Sequence, residues 1–333
     1  MIAGWAAREA KARLVPYAFE PAPLGPLDVE LEVTHCGLCH SDIHLIDNDW
    51  GINAWPLVPG HEVVGTISAL GSSVTGFRVG QRVGAGWQRS ACFGCDLCRE
   101  GHENLCPYQT ATCVRYPGGL AERLRTDSRF VFVLPDSLPS AVAAPLLCAG
   151  VTVHAPIARS GVGPGSRVGV LGIGGLGHIA VLMLRALGCE VTALTSSLAK
   201  ADDLRRMGAH EVVPSNDIKE LRKHLGRFHL LLSTAPARLD WVTLLQTVRP
   251  GGTLCFVATP PGVVSLPAQL LVTQQRTVSG SDIGSRAAMA DMLRFAAEHN
   301  IAPLIETRPM AEVNEAIERV RRNDVRYRVV LTA

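Results

Sequence analysis

The run Arg167-Val-Gly-Val-Leu171 leads directly into Gly172-Ile-Gly174-Gly175-Leu176-Gly177, and then into the apolar stretch His178–Leu184. A buried strand, a tight turn spaced G-x-G-x-x-G and a helix opening at the third glycine define the start of a βαβ unit. The first glycine permits the turn. The second lets a pyrophosphate reach the backbone, and the third lets helix and strand pack closely, with free helix N–H groups facing the phosphates. The spacing alone is a weak signal; the strand before it and the helix after it give it weight. Gly172, Gly174, Gly175, Leu176 and Gly177 are thus the expected phosphate-binding turn.

The chain downstream keeps the same rhythm. Strands are expected at Glu190–Leu194, Glu211–Val213, Phe228–Ser233, Thr253–Ala258 and Thr277–Ser281, with helices at Gly177–Ala186, Ala199–Met207, Asp217–Leu225 and Arg238–Val248. Alternating strands and helices imply right-handed crossovers and a parallel sheet. Upstream of about residue 150 the texture differs: VELEVTHCG, HEVVGTISAL and RFVFVLP are short β-type runs between Gly, Pro and Cys. The tail, helical at Arg286–His299 and Ala311–Arg322 with a strand at Tyr327–Leu331, is expected to return to that first region. The domains predicted are therefore 1–149 with 286–333, and 150–285.

The second strand of the parallel unit ends in Thr195-Ser196-Ser197, with Lys200 close behind. A site for NAD usually places Asp or Glu there, bonded to the ribose 2′-hydroxyl. Thr195, Ser196 and Lys200 offer hydroxyls and an ammonium instead, a set that would bind a 2′-phosphate. The reading is NADP(H) in preference to NAD.

Composition narrows the partners. The 333 residues are 47% hydrophobic with a net charge of +2, too balanced to imply nucleic acid or membrane. The uncharged run Val168–Leu184 carries five glycines and is short for a membrane span, so none is expected. The N-terminal MIAGWAAREAKARL lacks a signal-type apolar core. A cytoplasmic location is expected, where the ten cysteines would be thiols or metal ligands.

Four of them, Cys92, Cys95, Cys98 and Cys106, form C-x2-C-x2-C-x7-C in a polar, glycine-rich stretch. That suits a closed tetrahedral zinc site, with an iron–sulfur cluster as the chemical competitor. A second set is dispersed: Cys39 in CGLCHSDIH, His61-Glu62 in PGHE and Cys148 in LLCAG. Two thiolates and an imidazole with one open position are a known catalytic zinc set, but the spacing does not establish that these residues meet. Cys36, Cys113, Cys189 and Cys255 are read as small buried apolar residues.

THCGLCHSDIHLIDNDWG, PLVPGHEVVGTI, the four-cysteine lobe, PLLCAGVTVHAPI, LGIGGLGHIAV, SGSDIGSR and NDVRYRVVL together resemble the zinc-dependent medium-chain alcohol dehydrogenases, in the NADP-dependent branch similar to cinnamyl alcohol dehydrogenase. The resemblance spans nearly the whole chain. It implies an α/β fold, a Rossmann doubly wound parallel sheet plus a β-rich GroES-like catalytic domain, with two Zn²⁺ per chain. It further implies catalytic-zinc ligands at Cys39, His61 and Cys148, with Glu62 as an alternative ligand. Ser41 matches the hydroxyl that touches the substrate oxygen and His44 the outer proton-relay member. Thr152 matches a residue beside the nicotinamide, and His40 one near the pyrophosphate. Asp42 would orient a ligand or cap a loop. Trp50 and Trp87 are candidates for an apolar substrate wall, suiting an aromatic or medium-chain aldehyde. The segment between Cys106 and Gly118 is shorter than in the plant lignin enzymes, so their substrate range does not transfer.

The activity implied is reversible hydride transfer between NADPH and such a small-molecule aldehyde. The alternatives are an NAD-dependent polyol or formaldehyde dehydrogenase of the same superfamily, or a zinc-ribbon binding protein. The latter needs a basic face, whereas Cys92–Cys106 carries Asp96, Glu100 and Glu103 against Arg99. TVSGSDIGS and LPAQLLVT resemble the family's dimer edge, so a homodimer is expected.

Overall fold

The strand Asp28–Leu38 organises the first part of the molecule. Val29, Leu31 and Val33 are buried along it, and bulges near Glu30 and Val33 bend it. It pairs with Glu62–Leu70 along one edge. On the other edge Arg123–Asp127 covers its first half and Arg328–Thr332 its second, all antiparallel. The C-terminal strand is thus inserted between Asp28–Leu38 and Ile305–Pro309, in a seven-stranded sheet completed by Arg82–Ala85 and Val131–Val133. Leu31, Leu38, Val63, Ile67, Leu124 and Val329 form its core, together with Val313 and Ile317 of the amphipathic helix Val313–Arg321. The computed structural model describes residues 1–333 and divides into two units, Met1–Val151 with Ser285–Ala333, and Thr152–Gly284.

The second unit holds a six-stranded, all-parallel sheet. Its order is Glu211–Pro214, Glu190–Thr195, Arg167–Leu171, Phe228–Ser233, Val248–Phe256 and Thr277–Gly280. Counted along the chain this is 3-2-1-4-5-6, the doubly wound order whose reversal lies beside Arg167–Leu171. Helix Gly177–Ala186 follows that strand and buries Ile179, Val181, Met183 and Leu184.

Two expected helices are shorter than their patterns. Asp217–Leu225 contracts to Ile218–Arg222, because the chain must turn at Gly226, in the left-handed region, to feed Phe228–Ser233. Arg238–Val248 becomes Trp241–Thr247, started by Asp240, whose carboxylate accepts from the Thr243 N–H at 3.0 Å. The expectation that no segment has the length of a membrane span needs correction: the helical run Ser140–Ser160 does. It is 78% buried within the protein and is interrupted by a π-turn at Leu146–Gly150, so it is core. Cys36, Cys113, Cys189 and Cys255 are all buried thiols.

Candidate active site

Strand register brings the dispersed residues together. Gly37 lies opposite Glu62, and Val329 opposite Leu38. The residues just beyond these pairs, Cys39, His61 and Arg328, therefore gather at one end of the sheet. A Cβ on Gly37 would lie 2.1 Å from a Glu62 carboxylate oxygen, so only glycine leaves room for that side chain. Cys148 arrives from the π-turn Leu146–Gly150, an irregularity that re-aims a helical side chain and is frequent at functional sites. The helix preceding that turn, Ser140–Pro145, packs on the strands Asp28–Leu38 and Glu62–Leu70.

The result is a buried cluster in which one donor atom each from Cys39, His61, Glu62 and Cys148 lies within 4.8 Å of the others. Asp42 fixes the imidazole. One of its oxygens accepts from His61 Nδ1 at 2.9 Å and from the Gly60 N–H at 3.0 Å. The other accepts from the Cys39 N–H at 3.0 Å, so the two readings of Asp42, orienting and capping, both hold. With Nδ1 committed, His61 Nε2 is buried without a partner. A buried, unpaired nitrogen facing two thiols is costly unless a cation takes it. The hydrogen bond between the two sulfurs, ahead of the burial that acts on both, pulls the Cys39 thiol well below its ordinary range and pushes Cys148 well above it. The donor set fits a zinc ion held by Cys39, His61 and Cys148.

Glu62 is fully buried and ion-paired with Arg328, itself 4% exposed. Burial pushes the Glu62 carboxyl up to about 8, with Arg328 pulling the other way. Its second oxygen is buried and unpaired, leaving it free for the cluster. The sequence reading assigned Arg328 no role. The signal was a charged residue opening the buried run Val329-Val-Leu331, which demands a buried partner. An Arg328→Met variant is expected to lose about 1–3 kcal/mol of stability in urea denaturation, since the Glu62 carboxyl loses its buried partner and takes up a proton. A loss below ~0.5 kcal/mol would show that the pair does not hold Glu62 in place.

Cys39 is the N-cap of the helix His40–Asp47. Ser41, half-buried, and His44 stand three residues apart on it, hence on one face. His44 Nδ1 bonds the Asp49 carboxylate at 2.7 Å, a partner that sequence reasoning missed. That bond leaves Nε2 to accept or deliver a proton. The side chains of both are part-exposed. His40 is exposed, its ring 5.3 Å from that of His44. Aromatic rings run on from there. Trp50 lies 5.2 Å from His44 and 5.9 Å from Trp87, which meets His61 edge to face at 5.0 Å. The two indoles thus connect the His44 ring to the His61 ring.

Cys92, Cys95, Cys98 and Cys106 also converge within 4.8 Å. Their sulfurs stand 3.5 Å (Cys92–Cys106) and 3.9 Å (Cys92–Cys98, Cys95–Cys106) apart. Four sulfurs around a single zinc at ~2.3 Å are separated by about 3.8 Å; a multi-iron cluster would hold them further apart. The N–H groups of Gly94 and Cys95 point at Cys92 Sγ, both at 3.4 Å, and lower its thiol to about 6. The lobe fits one closed zinc.

In the second unit Gly172 has φ +87°, and a Cβ there would strike Ala235 at 2.8 Å. A Cβ on Gly177 would lie 2.0 Å from the Gly172 carbonyl, which is the close helix–strand approach. Beside Gly174 the space is open, as a phosphate requires. Lys200 Nζ donates to the Ile173 carbonyl at 3.1 Å, placing an ammonium on the glycine turn itself. Ser196 is exposed. Thr195 is buried and its hydroxyl is bound to the Ser197 backbone at 3.3 Å, so it shapes the turn and offers a phosphate nothing. Thr152 is buried at the start of this unit.

Residues 25–136 match the alcohol dehydrogenase GroES-like domain and residues 175–298 the zinc-binding dehydrogenase domain. The aldehyde reductase AdhA of Synechocystis is 43% identical over 100% of this chain and 99% of its own length. A cinnamyl alcohol dehydrogenase of Sorghum bicolor superposes with a TM-score of 0.95 at 41% identity, covering 99% of this chain and 97% of the other. The Helicobacter pylori cinnamyl alcohol dehydrogenase complexed with NADP(H) gives 0.92 at 29% identity, with coverage of 99% and 97%.

Proposed function

Because the chain belongs to the zinc-dependent medium-chain alcohol dehydrogenases, in their cinnamyl alcohol dehydrogenase-like branch, we propose that it is an NADP(H)-dependent alcohol dehydrogenase and aldehyde reductase acting on aromatic or medium-chain aldehydes. The observation that carries this is the buried gathering of Cys39, His61 and Cys148 around an imidazole nitrogen with no partner in the chain. Zinc held there supplies Lewis acidity toward a carbonyl or hydroxyl oxygen, and NADPH supplies the hydride.

The chain's own residues do the rest. Asp42 holds the His61 tautomer, and Glu62 stands by as an alternative donor balanced by Arg328. Ser41, two residues after Cys39 on the helix His40–Asp47, would offer its hydroxyl to the substrate oxygen. His44, anchored by Asp49 and part-exposed, exchanges the proton with solvent. Trp50 and Trp87 give a planar substrate an apolar wall, while a polyol would gain little from two indoles. Gly172, Gly174, Gly175, Leu176 and Gly177 cradle the pyrophosphate, with Thr152 as a further coenzyme contact. Ser196 and Lys200 take the 2′-phosphate.

A reducing, cytoplasmic setting would keep the cysteines reduced and able to hold metal. A homodimer would cover the edge strand Thr277–Gly280, near which Val263 and Val272 are 94% and 76% exposed.

The test is an NADPH-against-NADH comparison over aromatic, aliphatic and polyol substrates. NADPH is expected to be favoured by at least about tenfold in kcat/KM. Lys200→Ala should remove most of that preference, since one lost charge-assisted contact costs ~1.5–3 kcal/mol. A tenfold preference for NADH would overturn the coenzyme reading, and a preference for polyols the substrate reading.

A further inference from the structure

Cys113 was read from the sequence as a small apolar core residue, and it is fully buried within the apolar core of the first sheet, yet on one side it meets polar groups. Its sulfur, a ring nitrogen of His61 and a carboxylate oxygen of Asp42 all lie within 4.8 Å of one another. Its backbone has φ +62°, in the left-handed region that residues other than Gly, Asn and Asp seldom adopt. Such strain persists only where neighbouring structure enforces it. Here Thr112 is tied on one side, its N–H to the Trp87 carbonyl at 2.7 Å and its hydroxyl to the Gly86 carbonyl at 2.7 Å. Beyond, Gly118 N–H donates to the Val58 carbonyl at 2.8 Å and Gly119 N–H to the Gly60 carbonyl at 2.7 Å. The segment is thereby fastened to the irregular stretch 58–60 that leads to His61, with the Cys113 thiol beside the imidazole.

Resting on the assignment of His61 as a zinc ligand, we propose that Cys113 is a positioning residue for the catalytic metal: its thiol and the Asp42 carboxylate together hold His61 so that Nε2 stays available to the ion. The single bond from Nδ1 to Asp42 sets the tautomer but leaves the ring free to rock about it. Trp87 limits that motion on one side, edge to face at 5.0 Å. A large polarisable sulfur beside the ring limits it elsewhere, filling space that a methyl group would leave empty.

The test uses zinc-loaded wild type and the variants Cys113→Ala, Cys113→Gly and Cys113→Ser. Zinc retention against a chelator is read beside the melting temperature of each zinc-loaded protein. The Ala and Gly variants should release one of two zinc ions about 10-fold more readily than wild type, the scale on which groups behind a ligand act. Cys113→Ser, which keeps a polar atom in place, should recover most of the retention. Glycine relieves the strained φ, so a purely structural role would make the Gly variant hold metal better than the Ala variant, in step with melting temperature. Equal weakening in both supports positioning. Retention that follows melting temperature, or two zinc ions held as tightly as in wild type, overturns it. A wild-type chain that binds fewer than two zinc ions would overturn the zinc-site reading as well, which separates the two failures.

Discussion

A Cys148→Ser variant is expected to fold like the wild type, to keep about one zinc per chain, and to lose kcat by about 10³-fold. The estimate takes the metal's contribution to stabilising the transition state as roughly 4 kcal/mol, at about 1.4 kcal/mol per tenfold. Serine is close in size, so the core around the π-turn, Leu146, Leu147 and Ala149, stays packed. What changes is the donor: a serine hydroxyl stays protonated where a thiol can ionise, and the set around His61 Nε2 falls from two thiolates to one. Metal analysis, circular dichroism and steady-state kinetics on the same preparation decide the matter. Cys255→Ser, a buried thiol on the central sheet of the second unit, serves as the contrast. It should cost stability without touching the zinc content. Normal turnover with two zinc ions in Cys148→Ser would remove Cys148 from the metal.

The second large effect is on stability. Cys106→Ser is expected to release the other zinc, to open the segment around residues 91–111 to proteolysis, and to lower the melting temperature by at least ~10 °C. The lobe has almost no core of its own: Ala91, Cys98, Cys106 and Phe130 are its buried members, with Phe93 and Cys95 against them. Two of those four are cysteines of the quartet itself. Around them stand a few polar fastenings, such as the pairing of Gln88–Ser90 with Thr110–Ala111, Gln88 Nε2 donating to the Glu103 carbonyl at 2.5 Å and Arg286 Nε donating to the Arg129 carbonyl at 2.6 Å. So small a cluster cannot offset the entropy of ordering the loop. A structural zinc contributes on the order of 10 kcal/mol to such a site, and losing even half of that shifts a melting temperature by about 2–4 °C per kcal/mol. Limited proteolysis and calorimetry with and without chelator provide the check. A lobe equally resistant in Cys106→Ser would mean that the metal is not what orders it.

The sequence by itself determined the features whose geometry is set over a short stretch of chain. C-x2-C-x2-C-x7-C can fold onto one ion with few other constraints, and the turn Gly172 to Gly177 sits between its strand and helix because neither Gly172 nor Gly177 leaves room for a side chain. The helix Gly177–Ala186 and the strand Phe228–Ser233 stand where apolar periodicity placed them. Lys200 was legible as a charge near the second strand's end, but its reach onto the Ile173 carbonyl was not, and neither was the burial of Thr195. Tertiary structure alone decided what meets at the end of the first sheet. Cys39, His61 and Arg328 are far apart in the chain and become neighbours through ladder register, while Cys148 arrives through a break in a helix. Family likeness could name Cys39, His61 and Cys148, but it assigned nothing to Arg328, Asp49 or the thiol of Cys113. The physical reason is that hydrogen-bond register and burial are properties of paired strands. No run of residues contains its partner's offset, so a buried charge or a strained backbone angle acquires its meaning only when the opposing strand is in place.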